Sequence, residues 1–348
     1  MQHSFRALVL VLCSAMVATP VYPCTRFLWN NNQLGVFVAR TMDWPESTEP
    51  ILTVLPRGMK RTGGMMGSVK VVDENPANWT SKYGSLVTTV YGVGTADGLN
   101  EKGLTVHMLY LAATDFGPRE KTKRGVHAGL WGQYLLDNAA TVKEALRAME
   151  NIQVVMTETR GHKANVHLAI EDASGDSAIL EYVDGKLVVH HGREHRIMTN
   201  DPTYDKQLEL LKQRDFSNPS SDTPLPGNVK ATDRFQRTAY FSAMLPEPKS
   251  EREAVASALA IARNASVPFG APYQKFGIYN TEYRTVAKLD PKDLRYYFEL
   301  TTSPNVIWVD VSKLDFTPSS GVKVLNPANV DLSGNGTARF KKIDKAPF

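Results

Sequence analysis

CTRFLWNNNQLGVFVARTMDW, residues 24–44, is the stretch from which the rest of the chain is read. CTRFLW (24–29) reads as a strand, and NNNQ (30–33) supplies turn residues. GVFVART (35–41) resumes a β-branched, apolar run and reads as a second strand. The first strand opens on a cysteine. The second runs into Arg40-x-x-Asp43-Trp44.

What precedes Cys24 gives that cysteine its meaning. Residues 1–6 form a short, weakly positive head, and residues 7–18 an apolar run of 12. That run is too short to span a bilayer and suits the apolar region of a secretory signal. No other segment approaches 18 uninterrupted apolar residues. The reading is an exported protein, periplasmic or secreted, with no membrane attachment once residues 1–23 are removed. A signal-peptidase cut after Ala18 would leave residues 19–23 as a short tail that the protein itself removes.

Of the two cysteines, Cys13 is lost with the signal. An exported chain with one thiol has no internal disulfide, so Cys24 is a buried structural thiol, a lipid-anchored residue, or a nucleophile. A lipoprotein signal wants small residues before its cysteine, and here Tyr22 and Pro23 stand there. Placement at the expected mature terminus favours the nucleophile. A free α-amine has a pKa of about 7.7–8.0 and a thiol one near 8.5, so the amine of a terminal cysteine can relay its own thiol proton. No histidine is then required.

The 348 residues are 42% hydrophobic and carry a formal charge of +4 with both signs interspersed. The run Lys121-Thr122-Lys123-Arg124 reads as a solvated loop, and nothing resembles a nucleic-acid footprint. His190, His191 and His195 read as surface or packing residues, and no metal site is expected.

Further strands are expected at 51–55, 85–91, 104–111, 166–171, 177–183, 186–190, 196–199, 279–288, 296–301 and 306–311. Asp184-Gly185 marks a two-residue hairpin. Helices are expected at 128–138, 205–213, 234–244 and 250–264, and from the capping box Thr141-x-x-Glu144 to residue 150. Residues 215–230 read as a loop. Long β meanders broken by paired helices suggest an α+β or layered α/β protein, and no linker splits the chain.

Five motifs in order carry a resemblance. They are Cys24-Thr25-Arg26-Phe27, Ala39-Arg40-Thr41-Met42-Asp43-Trp44, Asp97-Gly98-Leu99-Asn100-Glu101-Lys102-Gly103-Leu104, Met198-Thr199-Asn200-Asp201-Pro202 and Asp233-Arg234-Phe235. Together they resemble the choloylglycine hydrolase family, which holds bile salt hydrolases and penicillin V acylases. The likeness is greatest to Gram-negative penicillin V acylases, some of which also cleave N-acyl homoserine lactones. It implies an α+β fold, a four-layer αββα N-terminal-nucleophile hydrolase sandwich with two mainly antiparallel sheets, formed by residues 24–348 as a single catalytic domain.

The resemblance also implies roles. Cys24 corresponds to the nucleophile, Arg40 and Asp43 to the charged pair of the second strand, Asn200 to the oxyanion-hole asparagine and Arg234 to a second active-site arginine. Tyr110, reached by an ungapped count from the Asn100 motif, supplies a backbone N–H to the oxyanion hole. A guanidinium beside the sulfur is expected to lower its pKa, with Asp43 holding the terminal amine or Arg40. The alternatives are a structural Arg40–Asp43 ion pair and a turn role for Asn200. No metal or organic cofactor is needed.

Trp44 and Tyr110 suggest an aromatic wall suited to an aryl or fatty acyl group, although Trp44 equally suits a core position. The segment between Asn200 and Arg234 looks shorter than in tetrameric Gram-positive members, which puts a tetramer in doubt and leaves a homo-oligomer open. Three functions follow. The first is an acylase for small-molecule N-acyl amides such as penicillin V and N-acyl homoserine lactones. The second is a conjugated bile salt hydrolase. The third is a non-catalytic secreted or lipid-anchored binding protein.

Overall fold

The computed structural model describes residues 24–272, 278–329 and 331–348. The expected signal and tail, residues 1–23, lie outside the described residues.

Strands β1 (Cys24–Asn32) and β2 (Gly35–Trp44) pair antiparallel, with Cys24 opposite Met42 and Arg26 opposite Arg40. Because successive side chains of a strand point to opposite faces, β1 divides its residues between two cores. Cys24 and Leu28 join the cluster between the sheets, while Phe27 and Trp29 join a cluster under a helix.

The other sheet strands follow in chain order: β3 (Leu52–Leu55), β4 (Ser85–Val90), β5 (Gly94–Asn100), β6 (Thr105–Tyr110), β7 (Val166–Glu171), β8 (Ser177–Val183), β9 (Lys186–His191) and β10 (Ile197–Thr199). They continue as β11 (Ile278–Lys288), β12 (Arg295–Leu300), β13 (Val306–Asp310), β14 (Lys323–Leu325), β15 (Gly334–Asn335) and β16 (Lys341–Lys342). One sheet has the order β10-β1-β2-β11-β12-β13-β15, with Ala271–Pro272 also paired to β11. The second has the order β9-β8-β7-β6-β5-β4-β3-β14-β16. Within these sheets every described pairing is antiparallel except β13 with β15. Leu28, Val38 and Phe298 from the first sheet meet Leu52, Leu86 and Ile179 from the second in one buried layer.

Helices close both outer faces. Helices α1 (Trp131–Asn138) and α2 (Val142–Met149) pack Trp131, Leu135 and Val142 against Val106 and Leu168 of the second sheet. Helix α3 (Tyr204–Lys212) follows β10. Helices α4 (Ala231–Ala243) and α5 (Glu251–Ala265) cover the first sheet, α5 through Ala254, Ala258 and Ile261 against Phe37 and Val286. The layers are helix, sheet, sheet, helix, as the expected αββα sandwich requires.

Local signals explain several elements. Thr141 and Ser250 accept from the backbone N–H of Glu144 and Glu253, each at 3.2 Å, satisfying one orphan donor per helix for about 1 kcal/mol. Asp184 and Gly185 both have positive φ (50° and 73°), the geometry of a two-residue turn between β8 and β9. Helix α4 begins at Ala231, three residues before the expected start at Arg234, so Arg234 sits in its first turn. Asp97-Gly98, which carries a turn signal, lies within strand β5. A side chain on Gly98 would meet the Leu86 carbonyl oxygen at 2.5 Å, so close strand approach explains this glycine.

Candidate active site

Cys24 is the first residue of β1 and is 2% exposed. Its Sγ receives the backbone N–H of Asp43 at 3.5 Å and Nη2 of Arg40 at 3.8 Å, with the Met42 sulfur at 4.0 Å. The register explains this grouping. Arg40 stands opposite Arg26 and Met42 opposite Cys24, so β2 delivers a cation and a sulfur to the same inner face.

Arg40 is fully buried, yet among the described residues no carboxylate reaches ion-pair distance of it. Its guanidinium donates instead to the carbonyls of Ala96 (3.0 Å, β5) and Met108 (3.2 Å, β6), and Nη2 also meets the Met42 sulfur at 3.1 Å. The alternative of a structural Arg40–Asp43 ion pair is therefore not met among the described contacts. A bulge between Met42 and Asp43 alters the register with β11. Asp43 Oδ2 lies 3.6 Å from Arg234 Nη1 and accepts from Thr41 Oγ1 at 3.0 Å, and Oδ1 accepts from Thr281 Oγ1.

Arg234 ties this carboxylate to the start of β1. It donates to the Cys24 carbonyl at 2.6 Å, to Thr25 Oγ1, to Asn200 Oδ1 at 3.0 Å and to the Val229 carbonyl at 3.0 Å. Asn200 follows β10, and its Oδ1 also accepts from the Cys24 backbone nitrogen. Gln207 of α3 fixes the Asn200 peptide by donating to its carbonyl at 3.1 Å. The structure thus brings Cys24, Arg40, Asp43, Asn200 and Arg234 together around one residue's nitrogen, carbonyl and sulfur.

Tyr110 joins the site through its backbone. Its carbonyl accepts from Asn200 Nδ2 at 2.7 Å. Leu111 is the residue that pairs with the β7 side, its N–H donating to the Asn165 carbonyl at 2.8 Å. Alternation along a strand then points both the N–H and the carbonyl of Tyr110 to the opposite edge, toward Asn200.

The expected lowering of the thiol pKa is also corrected. Burial pushes the Cys24 thiol above its ordinary value. The Arg40 guanidinium, the Asp43 N–H and Arg234 pull the other way without overcoming it, and the Asp43 charge adds to the rise. Burial likewise raises the Asp43 carboxyl against the pull of Arg234 and its hydroxyl donors. A thiol in this setting is neutral at rest and needs a base to become a nucleophile.

The sulfur opens on a pocket of about 720 Å³, its mouth included, lined by Met42, Met66, Val90, Val93, Met108 and Leu109 among others. Trp44 and Tyr110 both line it, their ring centroids 6.1 Å apart, so Trp44 is a pocket residue and not a core one. Trp44 Nε1 donates to Tyr91 Oη at 2.6 Å, and Tyr91 Oη donates to Glu46 at 2.7 Å, which fixes the aromatic wall. Such a pocket accepts an apolar group and offers few polar partners.

Sequence reading missed the hydroxyls of Thr25, Thr41 and Thr281, which hold Arg234 and Asp43. Their signal is weak: a threonine at an outward strand position is ordinary β composition. Among the described residues no group of His, Cys, Asp or Glu is arranged to hold a metal ion, and His190 and His195 pack on Tyr204 at ring separations of 4.9 and 5.4 Å. No described helix is long and apolar enough to cross a membrane.

Comparison with known proteins bears on this geometry. Residues 24–325 match the model of linear amide C–N hydrolases, choloylglycine hydrolase family. A penicillin V acylase of Pectobacterium atrosepticum is 37% identical, over 93% of this chain and 92% of its own. The solved penicillin V acylase of Agrobacterium tumefaciens is 39% identical, with a TM-score of 0.81 over 93% of this chain and 98% of that one. A bile salt hydrolase/transferase of Bifidobacterium longum is 25% identical over 66% of this chain and 76% of its own.

Proposed function

The chain belongs to the choloylglycine hydrolase family of linear amide C–N hydrolases, and from that premise we propose that it is an exported acylase, cleaving the side-chain amide of penicillin V and of N-acyl homoserine lactones through a thioester on Cys24. The observation that carries this reading is the Cys24 sulfur, 3.8 Å from a buried guanidinium and facing an apolar, aromatic-walled pocket.

In this reading, removal of residues 1–23 frees the Cys24 α-amine. The amine takes the thiol proton as Sγ bonds to the amide carbonyl carbon. The oxyanion that forms is met by the second N–H of the Asn200 amide and the backbone N–H of Tyr110. The amine then gives the proton to the leaving nitrogen as the C–N bond breaks, and water hydrolyses the thioester. Asn200 Oδ1 holds the amine, and Arg234, paired with Asp43, holds the Cys24 carbonyl in place. The raised thiol pKa supports the need for an internal base with a pKa near 8.

Burial counts against a membrane anchor, since acyl chains on a sulfur 2% exposed would be held within the protein and not free to enter a bilayer. The Trp44–Tyr110 wall suits an aryl or fatty acyl group, and Met42, Met66 and Met108 let the pocket adapt to it. The test is hydrolysis of penicillin V, a long-chain acyl homoserine lactone and glycocholate by purified protein, with its N-terminus sequenced. Cleavage of the first two by protein beginning at Cys24 supports the proposal. Preference for glycocholate replaces it with bile salt hydrolysis, and active protein beginning at Thr19 removes the amine from the mechanism.

A further inference from the structure

Behind Cys24, between the two sheets, lies a set of buried charges that the chemistry above does not use. Arg26 on β1 places Nε 2.8 Å from Glu171 Oε1 on β7. His107 on β6 places Nδ1 2.7 Å from Asp97 Oδ1 and Nε2 3.1 Å from the same Glu171 oxygen. All four side chains are almost completely buried. A carboxylate oxygen facing each ring nitrogen favours the doubly protonated imidazolium over the neutral ring. The approaches are bent, which makes these charge contacts and not aligned hydrogen bonds. Burial disfavours the charged ring, but Glu171 and Asp97 more than offset it and raise the His107 pKa. Burial also opposes the charge on Asp97 and Glu171, yet His107 with Arg40 holds Asp97, and Arg26 with His107 holds Glu171, below the usual carboxylate range.

The charges do not balance. Arg26, His107 and Arg40 are positive, and Asp97 and Glu171 are negative. Asp97 and His107 stand opposite each other on β5 and β6. The next carbonyl along each strand, Ala96 and Met108, is one that holds the Arg40 guanidinium. The excess positive charge is therefore anchored to the same two strands as the ion pair and ends 3.8 Å from the sulfur. The other groups facing this region do not cancel it. Asp43 is matched by Arg234, and Glu181 is taken by His167 at 2.9 Å and by the Tyr204 N–H at 3.0 Å. Tyr283 and Tyr296 are kept neutral by burial, and Tyr296 and Thr285 donate to Asp97 at 2.9 and 2.6 Å.

We propose that Asp97 and His107 form an electrostatic positioning pair for the reaction: the imidazolium neutralises Asp97, and Arg40 is left with an uncompensated charge that only the Cys24 thiolate matches. This rests on Cys24 being the nucleophile. A neutral residue at 107 would let Asp97 compete for Arg40 and disfavour the thiolate. A neutral residue at 97 would add to the excess and favour it. A scaffold pair would give no such opposition of sign.

The test is the pH dependence of Cys24 alkylation by iodoacetamide, read on the Cys24 peptide, beside kcat/KM and thermal midpoints. His107→Gln is expected to move the alkylation midpoint up by roughly one pH unit, the scale of one charge acting across a few residues at an effective dielectric near 20. Asp97→Asn is expected to move it down, and the double variant to restore it, while the thermal midpoints of both single variants fall. Unchanged midpoints, or shifts of the same sign that track stability, would overturn the proposal. If His107→Gln does not fold, Asp97→Asn decides alone, an unchanged or raised midpoint being the contrary result. Alkylation reads the thiolate whether or not the protein turns over, so failure of the nucleophile assignment, seen as activity in Cys24→Ser, is distinguishable from failure of this inference.

Discussion

Nη2 of Arg40 lies 3.8 Å from Sγ of Cys24, and the guanidinium is oriented by two strand carbonyls, Ala96 and Met108, instead of a carboxylate. A carboxylate partner would quench the charge that the sulfur is meant to feel. Carbonyls fix the geometry and leave the charge available.

That arrangement uses the fork of arginine. Arg40→Lys supplies one point charge that cannot reach both carbonyls and the sulfur. Loss of one charge-assisted contact is worth about 1.5–3 kcal/mol, so kcat/KM should fall about tenfold to a hundredfold. Steady-state kinetics of the folded variant check this, and wild-type kcat/KM would remove Arg40 from the site's chemistry.

Asn200→Ala removes a proposed oxyanion donor and should lower kcat by about 10²–10³. Because Asn200 also joins the Cys24 nitrogen to Arg234, part of the loss could be positional. Asn200→Asp keeps an acceptor for both donors but removes the N–H, and should be as slow as the alanine variant. A change confined to KM would move Asn200 out of the oxyanion role.

Pocket volume should set acyl preference. Val93→Phe fills part of the pocket that Met66 and Met108 also line. Each methylene that loses its seat costs about 1 kcal/mol or more. The kcat/KM of the variant on a dodecanoyl homoserine lactone should therefore fall at least tenfold relative to a butanoyl one. An equal loss on both chains would show that the pocket does not hold the acyl group.

Much of this was legible in the sequence because local rules and global fold agree. The strand pair at 24–44, the Asp184-Gly185 turn and the two capping residues each follow from a few neighbouring side chains. Strand β5 was not legible. Asp97-Gly98 carries a turn signal, and only the approach of Leu86 explains its glycine. The partners of Asp43 were hidden for a similar reason: a bulge after Met42 decides which residues its carboxylate meets, and no spacing rule announces it. The thiol pKa was misjudged because the sequence displays Arg40 but not the burial that outweighs it.

His127 gives a pH-dependent contribution to stability with a definite sign. Burial lowers its pKa to about 4, while its Nε2 lies 3.0 Å from the Met65 carbonyl. Between its ordinary value of 6.5 and about 4 the unfolded chain binds a proton that the folded one refuses, so stability is lost as pH falls through that window. The loss from this residue is on the order of 3 kcal/mol. His127→Gln keeps a donor for Met65 without titrating, and should lose correspondingly less stability between pH 7 and pH 4 in urea unfolding. Equal losses in both proteins would place the acid sensitivity elsewhere.

The central claim is a covalent acyl group on Cys24, and rapid acid quench of the enzyme with penicillin V, followed by peptide mass mapping, tests it most directly. The account predicts a phenoxyacetyl adduct confined to the peptide that begins at Cys24, formed within the first turnover and absent from Cys24→Ser, which should fold normally and be nearly inactive. Turnover by Cys24→Ser, or sustained wild-type turnover with the acyl group trapped on another residue, would contradict it.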